Sequence, residues 1–279
     1  MKWSIVTDSS SDMLAEHGSL LEVPFSTAPL RIVIGEKEYV DREGVDLKAM
    51  IADMKAEKKA SSSACPSPED FARAFREADY TLCITMTGAL SATYQSAMLA
   101  RSQVMDDFPE KRIHVVDSKA TAGVMVLLAR KAAELIRADL PFDEAAQQLD
   151  AYNKTLRLVF TMASYDNLIK SGRMNAFAGM LAGHLGIRVV AINTPEGEIS
   201  IIKKIRGVEK TIQAMVDYMK ETPNIGTRSV VISHSNNEEM ALQAKAMIAA
   251  QCGIKDITIM TCQALTSFYT MGNGVLVAY

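Results

Sequence analysis

Residues 80–107 constrain this chain more than any other stretch. Tyr80-Thr81-Leu82-Cys83-Ile84-Thr85-Met86 is a short apolar run, the pattern of a buried strand. Thr87-Gly88-Ala89-Leu90-Ser91-Ala92-Thr93-Tyr94-Gln95-Ser96-Ala97 follows, and good helix formers then continue to about Asp107. A strand that turns directly into a helix is the repeating unit of layered α/β folds. The turn also has chemistry. Ser91 and Thr93 fall near the first helical turn, where unpaired backbone N–H groups and the positive end of the helix dipole favour an anion. Ser91 has a simpler reading as an N-cap, worth about 1 kcal/mol.

The same alternation continues on both sides. Trp3–Thr7 reads as a strand ending in Asp8-Ser9-Ser10-Ser11-Asp12, with a short helix through Glu16. Leu21–Phe25 and Leu30–Ile34 read as strands, and Asp46 caps a helix with Leu47, Ile51 and Met54 on one face. Lys58 to Ser63 reads as a polar loop, followed by a helix start with Ser67 at N-cap, Pro68 at N1 and Asp70 at N3. Ile113–Val116 is a strand leading into Asp117-Ser118, and helices follow at about 121–138 and 142–152. Strands separated by helices of this length imply a parallel sheet with crossover connections.

Beyond about residue 155 the pattern changes. Leu156–Met162 reads as a strand, and helical pieces flank Lys170-Ser171-Gly172-Arg173. Val189–Asn193, a Pro195-Glu196-Gly197 turn and Glu198–Lys204 make a hairpin. Helices at about 208–220 and 238–251 alternate with strands at 230–234 and 256–260, and a last strand starts at Gly274. A hairpin among such units implies a mixed sheet. The expectation is an α/β protein of two domains, residues 1–154 with a mainly parallel sheet and 155–279 with a mixed one. A chain of 279 residues is long enough for both.

Composition excludes several classes. Hydrophobic residues make up 48% and charged residues 23%, the profile of a globular protein. With 30 basic against 33 acidic residues and no basic run beyond Lys203-Lys204 and Arg206, no footprint for nucleic acid is present. The four cysteines form no C-x-x-C pair and no zinc-spaced cluster with histidine, so no metal site is expected. No apolar segment reaches 18 residues and none opens the chain as a signal peptide, so a cytoplasmic protein without a membrane span is expected.

One feature repeats at the strand ends. Ser9-Ser10-Ser11, Thr87 with Ser91 and Thr93, and Ser118 all follow strands, and Ser61-Ser62-Ser63 precedes a helix. Ligands of open α/β sheets bind outside the carboxyl ends of the strands, so these loops can converge on one hydroxyl-lined site. Independent turns and caps explain them equally well. No phosphate-binding glycine loop occurs, and no Lys or Arg stands in the hydroxyl stretches. Such a site suits one negative charge, such as a carboxylate. A nucleophilic role for Ser91 needs a base and usually a G-x-S-x-G elbow. The elbow is absent, and His17, His114, His184 and His234 have no evident link to Ser91.

At these loops the chain resembles the DegV family of bacterial fatty-acid-binding proteins. Thr7-Asp8-Ser9-Ser10-Ser11-Asp12 is similar to the family's TDSSAD, and Ser63-Ala64-Cys65-Pro66-Ser67-Pro68 stands where the family reads TSQPSP. Thr87 to Ala97 resembles SSGLSGTYQSA, with Leu90, Ser91 and Thr93 to Ala97 identical. Val116-Asp117-Ser118 is similar to IDS and Leu168 to Met174 to LxxGGRI. The resemblance spans essentially the whole chain. It implies a DegV-like pair of α/β domains, with a fatty acyl chain buried between them and the carboxylate held by hydroxyls.

Carried over by position, the carboxylate ligands are Ser63, Ser91, Thr93 and Thr270, supported by the loop Asp8, Ser9 and Ser10. Thr270 replaces the histidine of the family's HTGPG, while Thr270-Met271-Gly272-Asn273-Gly274 keeps both glycines. The resemblance places Arg173 on the face that meets a fatty-acid kinase. It thus implies a non-catalytic carrier of a long-chain fatty acid, with no cofactor, that presents the carboxylate for acyl-phosphate formation. The alternative is a serine-dependent enzyme acting on a small carboxylate or acyl compound. Ala176 to Gly186, rich in small residues, reads either as a wall of the acyl site or as close helix packing.

Overall fold

In the computed structural model, residues 1–57, 61–174 and 187–279 are described. The first half runs β1 (Trp3–Asp8), a 3-10 turn (Ser9–Ser11), α1 (Ala15–Ser19), β2 (Phe25–Ala28), β3 (Arg31–Ile34) and β4 (Lys37–Val40). It continues with α2 (Leu47–Ala56), β5 (Ser62–Ala64), α3 (Pro68–Arg76), β6 (Tyr80–Thr85), α4 (Thr93–Asp107), β7 (Arg112–Asp117), α5 (Gly123–Arg137) and α6 (Phe142–Asn153). Next come β8 (Leu158–Met162), α7 (Asp166–Lys170), β9 (Ile187–Asn193), β10 (Ile199–Arg206) and α8 (Val208–Lys220). The last elements are β11 (Val230–Ser235), α9 (Glu238–Cys252), β12 (Ile257–Thr261), α10 (Ala264–Thr270) and β13 (Gly274–Ala278). No helix among the described residues is long and apolar enough to cross a membrane. Ala176 to Gly186 lies outside the described residues.

The fold is α/β, with both expected sheets. β2-β1-β6-β7 lie side by side in that order, all parallel. β10-β9-β8-β13-β11-β12 form a mixed sheet in which β11 and β12 are parallel and the other neighbours antiparallel. A small antiparallel sheet, β4-β3-β5, stands beside the first.

α5 joins the two large sheets. Gly123 to Ala129 are all buried, so its first two turns have no polar face and must be covered on every side. β1 and β6 cover one side, β11 and β13 the other. The approach to the second sheet is close: a Cβ on Gly123 would lie 2.9 Å from Ala278 Cβ and 3.0 Å from Val231 Cβ. Ile5, Leu82 and Ile84 of one sheet therefore share a continuous core with Phe160, Val231 and Leu276 of the other. Each such side chain contributes about 1.5–3 kcal/mol by burial.

Local signals hold where they are self-contained. Ser67 Oγ accepts from Asp70 N at 3.2 Å and Asp70 accepts from Ser67 N at 2.9 Å, the expected capping box. Three expectations differ. β2 starts at Phe25 instead of Leu21, because Leu21 and Val23 are buried by a turn and Pro24 has no N–H for a ladder. Ser62–Ala64, expected as loop, is a strand paired with β3, with Ser63 opposite Ile32. α10 has no counterpart in the sequence reading; in Ala264-Leu265-Thr266-Ser267-Phe268-Tyr269-Thr270 the hydroxyl residues Thr266, Ser267 and Thr270 are buried along with the apolar ones, and no charged face marks a helical period.

α10 is anchored from far away in sequence. Ala264 N and Leu265 N donate to the two oxygens of Asp41 at 2.8 and 3.2 Å, and Gln263 N donates to Asp12 at 2.7 Å. Asp8 is buried nearby in the first sheet and accepts from Met86 N at 2.7 Å. Burial pushes the carboxyls of Asp8 and Asp41 up to about 6 and that of Asp12 to about 8, against an ordinary 3.8, because desolvation outweighs the donated hydrogen bonds.

A folded-state pKa raised this way gives stability that is complete below the ordinary value and is lost as pH rises through 6 and then 8. The urea midpoint should accordingly fall between pH 4 and 9. Asp12→Asn keeps an acceptor for Gln263 N and should flatten the upper limb, overtaking the parent above about pH 8. A midpoint that rises across this range contradicts the assignment. A second test concerns the β9–β10 hairpin, whose tip rests on the loop after β6. Gly197 there has φ +90°, and a Cβ would lie 2.1 Å from Thr87 Oγ1 and 3.1 Å from Lys119 Cα. Gly197→Ala should cost about 2 kcal/mol and lower Tm by several degrees in a thermal melt, through both backbone strain and the clash.

Candidate functional site

The order β2-β1-β6-β7 reverses between β1 and β6, the switch point at which open α/β sheets hold ligands. A cavity lies beyond the carboxyl ends of β6 and β7, facing the second sheet. It holds about 800 Å³ of space free of protein atoms, its mouth included. The first half contributes Leu30, Ser63, Met86, Thr87, Leu90, Ser91, Ala120 and Thr121. From the second sheet, Leu158, Phe160 and Met162 alternate along β8 and so point to one side, with Leu276 beside Phe160 on β13. α10 adds Leu265, Thr266, Tyr269 and Thr270.

Aliphatic and aromatic side chains make up most of this lining, but one region is polar and tightly connected. Ser63 lies on β5 with its side chain turned inward, between exposed Ser62 and Ala64. Its Oγ is 2.8 Å from the Tyr269 hydroxyl. The Arg173 guanidinium carbon stands 5.6 Å from the centre of the Tyr269 ring, within cation–π range. Arg173 Nε also donates to Leu90 O at 2.9 Å, next to Ser91. The arrangement therefore offers hydroxyl donors and one positive charge at the edge of an apolar space, which suits an amphiphile with an anionic end.

The positions carried over from sequence are not all alike. Ser63, Ser91, Thr270 and Arg173 line the cavity. Thr93 does not: it is fully buried behind Ser91, its Oγ1 2.8 Å from Ser91 Oγ while Thr93 N donates to that same oxygen at 3.3 Å. Ser91 sits one residue before the true N-cap, Ala92. Asp8, Ser9 and Ser10 are buried beneath the cavity. Asp8 accepts from Met86 N and Ser9 Oγ accepts from Leu30 N at 3.0 Å, so they hold two lining residues in place. Ser10 N donates to Asp8 at 2.9 Å.

Two cross-layer hydrogen bonds pin the mouth. Arg173 Nε to Leu90 O is one, and Thr87 Oγ1 to Gly197 O at 3.0 Å is the other. Asn193 adds a third tie at the level of the sheets, accepting from Leu158 N at 2.8 Å and donating to Lys119 O at 3.1 Å. The hydrogen bonds of Ser91 Oγ run to Thr93. His17, His114 and His234 are engaged with Leu14 N, Asp150 and Asn237 N, and His184 lies outside the described residues. Among the described residues no group of three His, Cys, Asp or Glu is placed to hold a metal ion.

Tyr269 is the site residue that sequence reasoning missed. It lies in a segment with no assigned element, and the serine it meets is 206 positions away. The one available hint was a phenol directly before the altered HTGPG-like motif.

Comparison with known proteins accords with this geometry. The model of the DegV family, described as an uncharacterised protein family, matches residues 2–278. A DegV domain-containing protein of Streptococcus pneumoniae is 35% identical over 279 residues, covering 100% of this chain and 99% of the relative. One from Streptococcus pyogenes serotype M1 is 34% identical over the same coverage. Among solved structures, the Streptococcus pneumoniae Fatty Acid Kinase (Fak) B3 protein, loaded with linoleic acid, superposes with a TM-score of 0.93 at 33% identity, covering 100% of this chain and 99% of that one. A DegV family protein from Eubacterium eligens, loaded with heptadecanoic acid, gives 0.93 at 27% identity, covering 99% and 98%. The chain belongs to the DegV family.

Proposed function

We propose that this protein binds a long-chain fatty acid between its two large sheets and presents the carboxylate to a separate fatty-acid kinase, which forms the acyl phosphate. The observation that carries this reading is the cavity itself: an apolar space with Ser63, Ser91, Tyr269 and Arg173 gathered on one side. The relatives loaded with linoleic and heptadecanoic acid support it. Burial of the acyl chain gains about 0.8 kcal/mol per CH₂, so the tail supplies affinity while a few donors fix one end.

On this reading residues 1–154 supply the headgroup loops and residues 155–279 close the acyl cavity. Ser63 and Ser91 donate to the carboxylate, and Thr93 orients Ser91. The carrier itself does no phosphoryl chemistry; nucleotide and Mg²⁺ belong to the kinase. The same reading makes it a cytoplasmic carrier.

Native mass spectrometry followed by lipid extraction of protein purified from bacteria tests this. A bound species at fatty-acid mass is expected, with affinity lowered about 10-fold or more in Ser63→Ala and in Ser91→Ala, since hydrogen bonds to a charged group are worth about 1.5–3 kcal/mol. Protein that carries no lipid and binds none on titration ends the proposal. Arg173→Ala should slow acyl-phosphate formation by added kinase and ATP at saturating lipid; an unchanged rate removes Arg173 from the partner-facing role.

A further inference from the structure

We infer that Tyr269, and not the neighbouring Thr270, completes the carboxylate site of this chain. The inference rests on the fatty-acid reading above and concerns which side chain of α10 supplies the remaining hydroxyl. Thr270 has one hydroxyl proton, and its Oγ1 donates it to Thr266 O at 2.8 Å, with Ser267 O also near at 3.4 Å. The side chain is 1% exposed, and its methyl faces β13, where a Cβ on Gly274 would lie 2.7 Å from Thr270 Cγ2. A carboxylate only accepts hydrogen bonds. A hydroxyl whose proton already closes a helical carbonyl has nothing to give it, so Thr270 shapes the cavity wall and ties down the end of α10.

Tyr269 is placed differently. Its hydroxyl meets Ser63 Oγ at 2.8 Å. Two hydroxyls bonded to each other hold two protons and use one between them, so the pair has one proton to offer a third partner. An anion against the pair receives it, and the Ser–Tyr bond strengthens that donation by polarisation. The Arg173 guanidinium over the ring adds positive charge on the same side. The ring cannot drift, because Phe268 packs edge-on against it at 4.9 Å and Asp12 and Asp41 fix the start of its helix.

The test compares binding of oleic acid and of oleyl alcohol, which share a tail and differ in the charge of the head. Parent protein, Tyr269→Phe, Thr270→Val and Ser63→Ala/Tyr269→Phe are measured, each with a melting curve as a check on folding. Tyr269→Phe should lose about 10-fold or more for the acid while the alcohol changes less than about 2-fold. Thr270→Val should keep the parent's preference for the acid. The double variant should lose much less than the sum of its single losses, as expected for two groups acting as one donor. Tyr269→Phe with parental acid preference, or loss of that preference in Thr270→Val, overturns the inference while leaving the carrier reading intact. A parent that binds neither compound overturns both.

Discussion

Two helical turns without a polar face cannot sit on the outside of a protein, and the arrangement of this one follows from that constraint on the start of α5. Its first two turns are buried all round. Water is excluded only if a sheet covers each side, and the two large sheets do so. At Gly123 the helix backbone comes near enough to Val231 and Ala278 that a methyl group would collide with them. The two sheets are thus set at a spacing fixed by one helix. Beyond its amino end they are no longer held in contact through packed side chains, and the cavity opens there, next to Ala120 and Thr121.

Polar groups then decide the form of that opening. Asp8 and Ser9 tie down the backbone of Met86 and Leu30, and Asp12 and Asp41 hold the amino end of α10. Burying three carboxyls is costly, as their raised pKa values record. What the fold gains is a rigid frame in which Ser63, Ser91 and Tyr269 come from a short edge strand, a strand-to-helix turn and a seven-residue helix, none of them stable alone.

Much of this was visible in the sequence, for a physical reason. The apolar run 80–86, the capping box at Ser67 and Asp70 and the turn at Pro195 to Gly197 depend on residues a few positions apart, and local spacing reports them. β5 and α10 depend on partners elsewhere. Ser62–Ala64 is strand only because Ile32 and Val33 lie alongside, and α10 starts where it does because carboxyl oxygens of Asp12 and Asp41 accept from N–H groups at its start. The hydroxyl clusters of the loops marked the region of the site, and the family motif singled out Ser63 and Ser91. Neither signal distinguishes Ser91, which faces the cavity, from Thr93, which stands behind it, since that difference is one of burial at the start of α4.

The order of strands in the mixed sheet bears on how the chain folds during synthesis. β13 follows every other strand in sequence yet lies between β8 and β11. Until it is in place, β8 and β11 each present an open row of N–H and C=O groups. Such edges are templates for pairing with other chains. Without β13 in place the second sheet therefore stays divided into β10-β9-β8 and β11-β12, and α5 lacks the share of its cover that β13 supplies.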